Sequence, residues 1–290
     1  MHIPDGFLDL YIATTMFLLS FIVVGISILK VKAIPQKFGI IAAAIFVAQM
    51  LDWPIPGGTS AHFMGGSLAG ILLGPYAGCL AMTTVLLIQT LVFADGGLTA
   101  IGANVWNMAV VNVFLGYWIY KGFERFNRKL AAFLAGWLGV TAAAIFCGIE
   151  IGLSKYFVYG LTITVPIMAI WHAVLGIVEG TITASVASVV KPVEVVQSKT
   201  SIALIATLIA LTPLFAYAAE LVGYREPLDF VADKLELEGE MIYKGIIPEY
   251  TIPGLDPYFS ALISAIIGTF VVFSIVKLCM NLQKKYSKSL

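Results

Sequence analysis

The chain begins MHIPDG, which places a histidine directly beside the amino terminus. The Met1 amine, the His2 backbone nitrogen and His2 Nδ1 can bind one metal ion through fused five- and six-membered chelate rings, which hold the ion in one plane. Retention of Met1 is expected, because enzymes that remove the initiator methionine generally need a small second residue. The pair therefore indicates a planar metal site, with a disordered terminus as the alternative.

A planar site needs a fourth donor, and the chain has two other histidines, His62 and His172. His62 ends the Pro- and Gly-rich segment LDWPIPGGTSAH, which we expect on the same face of the protein as Met1. His172 lies within a long predicted helix, where a structural or orienting role is favoured over direct ligation. His62 is therefore the predicted fourth ligand; the alternative for it is a helix-start residue hydrogen-bonded to a neighbour.

The donor types narrow the choice of metal. A planar nitrogen set that includes a deprotonated amide favours Ni(II) or Cu(II), with Co(II) conceivable, whereas Zn(II) prefers a tetrahedron. Calcium and magnesium need oxygen ligands, which the segment does not supply.

The three cysteines lack CxxC spacing and are expected to be buried thiols; they are Cys79, Cys147 and Cys279.

Polar residues in or beside the apolar runs are expected to support the site. Asp95 lies in the Gly-rich break FADGGLTAIGAN and is predicted to cap or order that turn. Asn104 and Asn107 open the next helix, where their amides could orient a ligating imidazole. Glu150 and Glu179 lie in apolar runs, where an unpaired charge is costly, so each is expected to have a partner or to be neutral.

The composition is that of an integral membrane protein. The 290 residues have a mean hydropathy of +0.95 and are 60% hydrophobic and 12% charged, against about a quarter charged in soluble proteins. Nine apolar runs predict an all-α polytopic fold, with a core of seven transmembrane helices and two more at the carboxyl end. The runs are 8–29, 38–51, 63–73, 76–93, 104–120, 130–153, 165–190, 201–221 and 258–280. Zero net charge gives no reason to expect nucleic acid as a partner.

Four clusters of Lys and Arg set the predicted orientation. They are Lys30/Lys32/Lys37, Lys121/Arg125/Arg128/Lys129, Lys191/Lys199 and Lys277/Lys284/Lys285/Lys288. If the amino terminus is outside, all four lie in the cytoplasm, as the positive-inside rule requires, and so does the carboxyl terminus. The loop 222–257 then lies outside, where its acidic residues could attract cations; a simply solvated loop is the alternative.

Three long motifs, MHIPDGFL, PIPGGTSAHFMGGSLAGILLGPYAG and QTLVFADGGLTAIGANVWNM, resemble the CbiM/NikM family over about residues 1–190. Members of that family are substrate-binding S components of cobalt and nickel energy-coupling factor (ECF) transporters. The resemblance implies seven transmembrane helices and a metal held by the Met1 amine, the His2 amide and imidazole, and His62. It also implies that Asp5 and Gly6 shape the inserted terminus. The loop implied to cover the site consists of Gly57, Gly58, Thr59 and Ser60.

The remaining residues, with the motif YTIPGLDPYFSALISAIIGTFVVF, look like the NikN-type accessory module of fused NikMN proteins. This resemblance divides the chain into an S-component core at 1–190, a cytoplasmic linker at 191–200 and an accessory module at 201–290. The module would consist of two transmembrane helices around the outer loop 222–257. Planar nitrogen coordination serves both metals, so the donor set does not choose between them. The resemblance to a nickel-type module favours Ni(II) over Co(II) as the transported ion.

The chain contains no Walker A motif of the form GxxxxGK[ST], so any ATP hydrolysis by that route must come from partners. The resemblance implies cytoplasmic ABC-type ATPase subunits and a transmembrane coupling (T) subunit in the cell membrane, with this chain itself not an enzyme. Two other classes stay open. One is an intramembrane zinc metalloenzyme that uses the three histidines, although no HExxH motif supports it. The other is a proton-coupled secondary cation transporter that uses Glu150 and Glu179.

Overall fold

A computed structural model of the chain describes residues 1–31, 37–55, 59–189, 199–223, 228 and 242–287. Helices dominate the described residues, as the composition predicts. They are α1 (Leu10–Lys30), α2 (Phe38–Gln49), α3 (Gly66–Leu73), α4 (Pro75–Ile88), α5 (Ile101–Asn104), α6 (Asn112–Phe123), α7 (Arg128–Leu153), α8 (Leu161–Val189), α9 (Lys199–Glu220) and α10 (Pro257–Ser287). A short 3-10 turn lies at Pro248–Tyr250.

Six helices in the described ranges are long and apolar enough to cross a membrane. They are Leu10–Lys30, Pro75–Phe93, Arg128–Leu153, Leu161–Val189, Ser201–Glu220 and Pro257–Asn281. The helices α2 and α3, with 12 and 8 residues, are shorter than the roughly 20 residues that a crossing helix needs. All nine predicted runs contain helix, but the count of seven plus two crossings stays a prediction, as does the side on which each terminus lies.

The first helix begins where Asp9 caps it. The Asp9 carboxylate accepts hydrogen bonds from the backbone N–H of Tyr11 at 2.9 Å and of Ile12 at 3.1 Å, two amides that the first helical turn leaves unpaired. Its other oxygen accepts from the N–H of Lys155, in the turn between α7 and α8, at 2.9 Å. These bonds, led by that from Lys155, hold the pKa of Asp9 below its ordinary value. Asp9 thus ends the amino-terminal arm, Met1–Asp9, and ties it to a distant turn.

Two helices contain π-helical turns. Helix α4 continues into the π turn Gln89–Phe93, and α5 is joined to α6 by the π turn Val105–Val111. A π turn takes up extra residues within a helix and is frequently found at functional sites, because it shifts the direction of the side chains that follow. The first of these turns begins at Gln89, which is fully buried.

The Pro- and Gly-rich segment between α2 and α3 forms a β-hairpin. Its strands, β1 (Trp53–Ile55) and β2 (Thr59–Ala61), pair in antiparallel fashion. Trp53 lies opposite Ala61 and Ile55 opposite Thr59, so this segment has regular backbone pairing in spite of its prolines and glycines. Gly57 and Gly58, which belong to the predicted covering loop, lie outside the described residues.

Close helix packing holds these elements in place. A Cβ atom added to Gly66 of α3 would lie 2.7 Å from the carbonyl oxygen of Met108, so the two backbones approach closely, as glycine faces allow in membranes. Helix α10 packs on α2, where a side chain at Gly268 would collide with the ring of Phe46. The helices α9 and α10 share a second apolar cluster with α2 and α4.

Candidate metal centre

The amino-terminal arm is buried inside the protein. Met1, His2, Ile3 and Asp5 have relative exposures of 4%, 7%, 0% and 3%. Met1 and Ile3 belong to the main apolar core. The first residues of a chain are usually poorly ordered unless they are tied down. Here the neighbouring elements supply the ties.

Asn104, at the end of α5, clamps the arm through its backbone. Its Oδ1 accepts from the N–H of Ile3 at 2.8 Å, and its Nδ2 donates to the Ile3 carbonyl at 3.1 Å. The N–H of Gly97 donates to the same carbonyl at 2.9 Å, and any side chain at Gly97 would collide with Asp5. Asp5 Oδ1 accepts from the N–H and the hydroxyl of Thr99 at 2.7 and 2.6 Å. Asn104 is therefore near the predicted site, but it holds the arm and not an imidazole.

The His2 ring lies between two polar side chains. Its Nε2 is 3.3 Å from Gln89 Oε1, and its Nδ1 is 3.2 Å from Asp95 Oδ1. Asp95 therefore contacts the imidazole nitrogen that is predicted to bind metal, a closer role than the turn cap that the sequence predicts for it.

His62 faces His2 across the site. The two ring centroids are 5.4 Å apart and the ring planes differ by 23°. The two imidazoles are therefore close neighbours, as two ligands of one ion would be. His62 Nδ1 lies 3.1 Å from the Phe63 carbonyl oxygen, to which it can donate, leaving Nε2 for an ion. The fold thus brings together the two histidines that the sequence selects.

A small cavity of about 30 Å³ lies beside His62, with room for a water molecule or a single ion. It is lined by Met1, Trp53, Ala61, His62, Met64, Val140, His172, Leu175 and Glu179. From the hairpin, Trp53 of β1 and Ala61 of β2 form part of the cavity wall. His172 reaches the same wall from α8, and its Nδ1 lies 2.9 Å from the carbonyl oxygen of Met168, one turn earlier.

Glu179 holds the backbone that follows His62. Its carboxylate oxygens accept hydrogen bonds from the N–H groups of Met64 and Gly65, each at 2.9 Å. A buried carboxylate needs such partners; the sequence suggests His172 as the partner of Glu179, and the structure shows these two backbone groups bonded to it. Gly65 has a φ of +79°, a conformation that favours glycine, so the chain turns here into α3.

Two buried glutamines belong to the site although the sequence analysis assigns neither a role: Gln89 opens the third motif, and Gln49 lies in none. Gln89 Nε2 donates to Gln49 Oε1 at 2.8 Å, and Gln49 Nε2 donates to the Met64 carbonyl at 2.6 Å. Each is the one glutamine of an otherwise apolar run. Such a polar side chain in a membrane helix usually bonds to a neighbouring helix, which is a signal that could have identified both.

The other predicted wall residues lie in different surroundings. Ser60 is buried in β2, and Thr59 begins that strand. Asn107 donates through Nδ2 to Glu150 Oε2 at 2.7 Å, so the amide predicted to orient an imidazole instead pairs with a carboxylate. Glu150 thereby has a partner, as predicted.

The segment Ile242–Tyr250, which precedes α10, lies against the arm and the first π turn. The N–H of Ile242 is 3.3 Å from Asp5 Oδ2, and the Tyr250 hydroxyl donates to Asp95 Oδ2 at 2.6 Å. The Tyr250 ring stacks on Phe93 with centroids 4.6 Å apart. Loss of solvent, and then the charge of Asp95, raise the pKa of Tyr250 well above its ordinary value, so its hydroxyl stays a donor.

The site is rich in nitrogen donors from main chain and imidazole. Within the part of the chain that the structure describes, no three His, Cys, Asp or Glu side chains gather in a metal-binding arrangement. Met1, whose terminal amine is the predicted further donor, lines the same cavity as His62.

Known proteins resemble this chain over much of its length. The family model described as CbiM, cobalt uptake substrate-specific transmembrane region, matches residues 2–196. A putative fused nickel transport protein NikMN of Archaeoglobus fulgidus is 61% identical over 284 residues, which are 95% of this chain and 96% of that protein. The cobalt transport protein CbiM of Thermosipho melanesiensis is 33% identical over 196 residues, covering 63% and 83% of the two chains. A crystal structure of a truncated transition metal transporter aligns with a TM-score of 0.60 and 38% identity, over 65% of this chain and 97% of that one.

These relatives are named as transport proteins and not as enzymes. The family match covers more than half of the chain, and the six long apolar helices fit a protein that crosses the membrane several times. The chain is therefore a multi-pass membrane protein of the CbiM family.

Proposed function

We propose that this protein captures Ni(II), in preference to Co(II), for uptake across the cell membrane, as the substrate-specific component of an ECF-type transporter. The ion is the transported substrate and is held by four nitrogens. These are the Met1 amine, the His2 backbone nitrogen, His2 Nδ1 and His62 Nε2.

The observation that carries this proposal is the burial of the amino terminus beside two facing imidazoles. Met1 and His2 are 4% and 7% exposed, and the His2 and His62 rings lie 5.4 Å apart. The contact of His62 Nδ1 with the Phe63 carbonyl leaves its Nε2 as the metal-binding nitrogen. A planar nitrogen set of this kind suits Ni(II).

One feature favours nickel over cobalt. The A. fulgidus relative that matches 95% of the chain is named as a putative nickel transport protein, and its match extends into the carboxyl-terminal helices. The planar donor set serves Ni(II) and Co(II) alike and disfavours Zn(II), which prefers a tetrahedron. We assign residues 1–190 to the S-component core, 191–200 to a cytoplasmic linker and 201–290 to a NikN-like accessory module.

Energy for uptake must come from other subunits. The sequence has no Walker A motif, so we assign ATP hydrolysis to cytoplasmic ABC-type ATPase subunits that act through a transmembrane coupling subunit. The amino terminus then faces the outside, where the ion is captured, and the carboxyl terminus is cytoplasmic, in keeping with the distribution of Lys and Arg.

Calorimetry with Ni(II), Co(II), Cu(II) and Zn(II) tests the proposed ligands. The intact protein is compared with a variant that carries one extra residue before Met1, which moves the amine away from the chelate while leaving His2 in place. We expect the extension to abolish tight binding, and His172→Ala to retain it. Binding that survives the extension and is lost in His172→Ala would instead support a centre built from side chains alone.

The same measurement has a predicted pH dependence. The metal must displace a proton from the Met1 amine, whose ordinary pKa is about 7.7 to 8.0, and one from the His2 amide. Affinity should therefore fall as the pH is lowered, and more steeply once the pH passes below the amine pKa. An affinity that does not change between acidic and alkaline buffer contradicts the proposed donors.

A further inference from the structure

A chain of buried side-chain amides connects the His2 ring to a backbone carbonyl on another element. His2 Nε2 is 3.3 Å from Gln89 Oε1, Gln89 Nε2 is 2.8 Å from Gln49 Oε1, and Gln49 Nε2 is 2.6 Å from the Met64 carbonyl oxygen. Gln49 and Gln89 are 3% and 0% exposed. We refer to these contacts as the amide relay.

The relay can run in one direction only. A carbonyl oxygen accepts and never donates, so the Met64 carbonyl requires the NH₂ group of Gln49. The Gln49 oxygen then accepts from the NH₂ group of Gln89, and the Gln89 oxygen must accept from His2. The hydrogen on the His2 ring therefore belongs on Nε2 when Nδ1 binds a metal.

We propose that Gln49 and Gln89 are positioning residues for metal capture. The relay holds the His2 ring in place and supplies the acceptor for Nε2–H, so that the ion bound at Nδ1 takes the position of the proton that Asp95 Oδ1, 3.2 Å away, would otherwise accept. This inference rests on the proposed function and adds two residues that touch no metal. Partners that receive the second ring N–H of a ligating histidine fix both the tautomer and the orientation of the ring.

The His62 ring is set by a shorter version of the same arrangement. The Phe63 carbonyl lies 3.1 Å from His62 Nδ1 and accepts its hydrogen directly. The adjacent Met64 carbonyl instead accepts from Gln49, and so orients the His2 ring through the two glutamines. Glu179 holds the backbone at Phe63–Gly65 in place by accepting hydrogen bonds from the N–H groups of Met64 and Gly65. One short piece of backbone thereby defines the metal-binding nitrogen of both histidines.

Leucine variants test the relay. Gln89→Leu removes the acceptor for His2, and Gln49→Leu frees Gln89 to turn its NH₂ group toward His2 and so favour the wrong tautomer. For each we expect nickel affinity to fall about 10- to 100-fold while the ion keeps its planar nitrogen ligands. The matched control is Thr83→Val, which removes another buried polar group of α4 and should leave affinity unchanged.

A rescue distinguishes positioning from general packing. A carboxylate only accepts, so in the Gln49→Leu protein the further change Gln89→Glu should restore an acceptor for His2 Nε2–H and recover most of the lost affinity. Selective ¹⁵N-histidine NMR of the nickel-loaded protein provides a direct readout, since planar Ni(II) is diamagnetic and the chain has only three histidines. We expect the His2 Nε2–H to be protected from solvent exchange in the wild type and to lose that protection in Gln49→Leu.

The two proposals fail in different ways. If wild-type protein binds nickel through its terminus but both leucine variants keep wild-type affinity and the protected Nε2–H, the relay is wrong and the proposed function stands. If the wild type loses no affinity when the terminus is extended, the proposed function itself is wrong. If a leucine variant does not fold, Gln89→Glu in the otherwise unchanged protein replaces it. There the new carboxylate and Gln49 Oε1 are two acceptors facing each other, so the His2 Nε2–H signal should shift. An unchanged signal overturns the relay.

Discussion

The amino-terminal arm and the carboxyl-terminal helices α9 and α10 are built in opposite ways. The arm, Met1–Asp9, contains no helix or strand, yet it is largely buried and carries three buried polar side chains, His2, Asp5 and Asp9. In α9 and α10 the helical backbone satisfies itself, and only 17% and 33% of the residues in their apolar spans are buried.

This difference follows from the cost of burying polar groups without partners. Each polar group of the arm needs a hydrogen-bond partner. Residues far away in the sequence supply these partners, among them Asn104, Gln89 and Thr99. A lipid-facing helix needs only an apolar surface. Metal binding should therefore be sensitive to changes around the arm and tolerant of changes in the carboxyl-terminal part.

The largest effect is expected from His2→Ala. It removes the imidazole and with it one chelate ring, so the loss of nickel affinity should exceed the roughly 100-fold that changes to outer partners cause. His62→Ala should weaken binding less, because the three nitrogens of Met1 and His2 remain. Titration calorimetry of both variants checks this order, and equal affinities for His2→Ala and the wild type contradict the arm as the source of ligands.

A smaller effect is expected when the arm is released but its ligands are kept. Asn104→Leu removes both hydrogen bonds to Ile3 and should reduce nickel affinity by about 10- to 100-fold, as for other partners that orient ligands. The control is Asn127→Leu, which removes the amide that caps α7 and should leave affinity unchanged. An equal response of the two variants would mean that the arm is not held by Asn104.

The smallest effect is expected at the point where the two regions meet. Tyr250→Phe keeps the ring stacked on Phe93 but removes the hydrogen bond to Asp95. Because Asp95 is itself one step from the proposed ion, we expect nickel affinity to change less than about 10-fold. A loss as large as that of His2→Ala would show that the carboxyl-terminal part belongs to the metal site, and the contrast between the two regions would then be wrong.

Local signals in the sequence predict much of the fold. The apolar runs give the position of every long helix, because a membrane helix needs only a continuous apolar stretch. The hairpin at β1 and β2 is not predicted, since strand pairing depends on a partner and two prolines obscure the pattern. The π turns are not predicted either, as they depend on packing between helices.

The sequence predicts the part of the site whose ligands are neighbours in the chain or lie in a distinctive segment. Met1 and His2 form a chelate by adjacency, and His62 follows a distinctive segment, so all three could be selected from the sequence. Gln49 and Gln89 could not be linked to His2 in this way, because their contacts join residues 40 and 87 positions apart. Asn107 is the reverse case: its position suggested a role at the site, and packing placed it against Glu150.

The central claim is that the buried amino terminus itself holds the transported ion. The most direct measurement is anomalous X-ray diffraction at the nickel edge from crystals of the nickel-loaded, full-length protein. We predict one strong peak bonded to the Met1 amine, to the backbone nitrogen and Nδ1 of His2, and to His62, with the four nitrogens in one plane. A peak elsewhere in the protein, with the amino terminus unbound, would contradict the account.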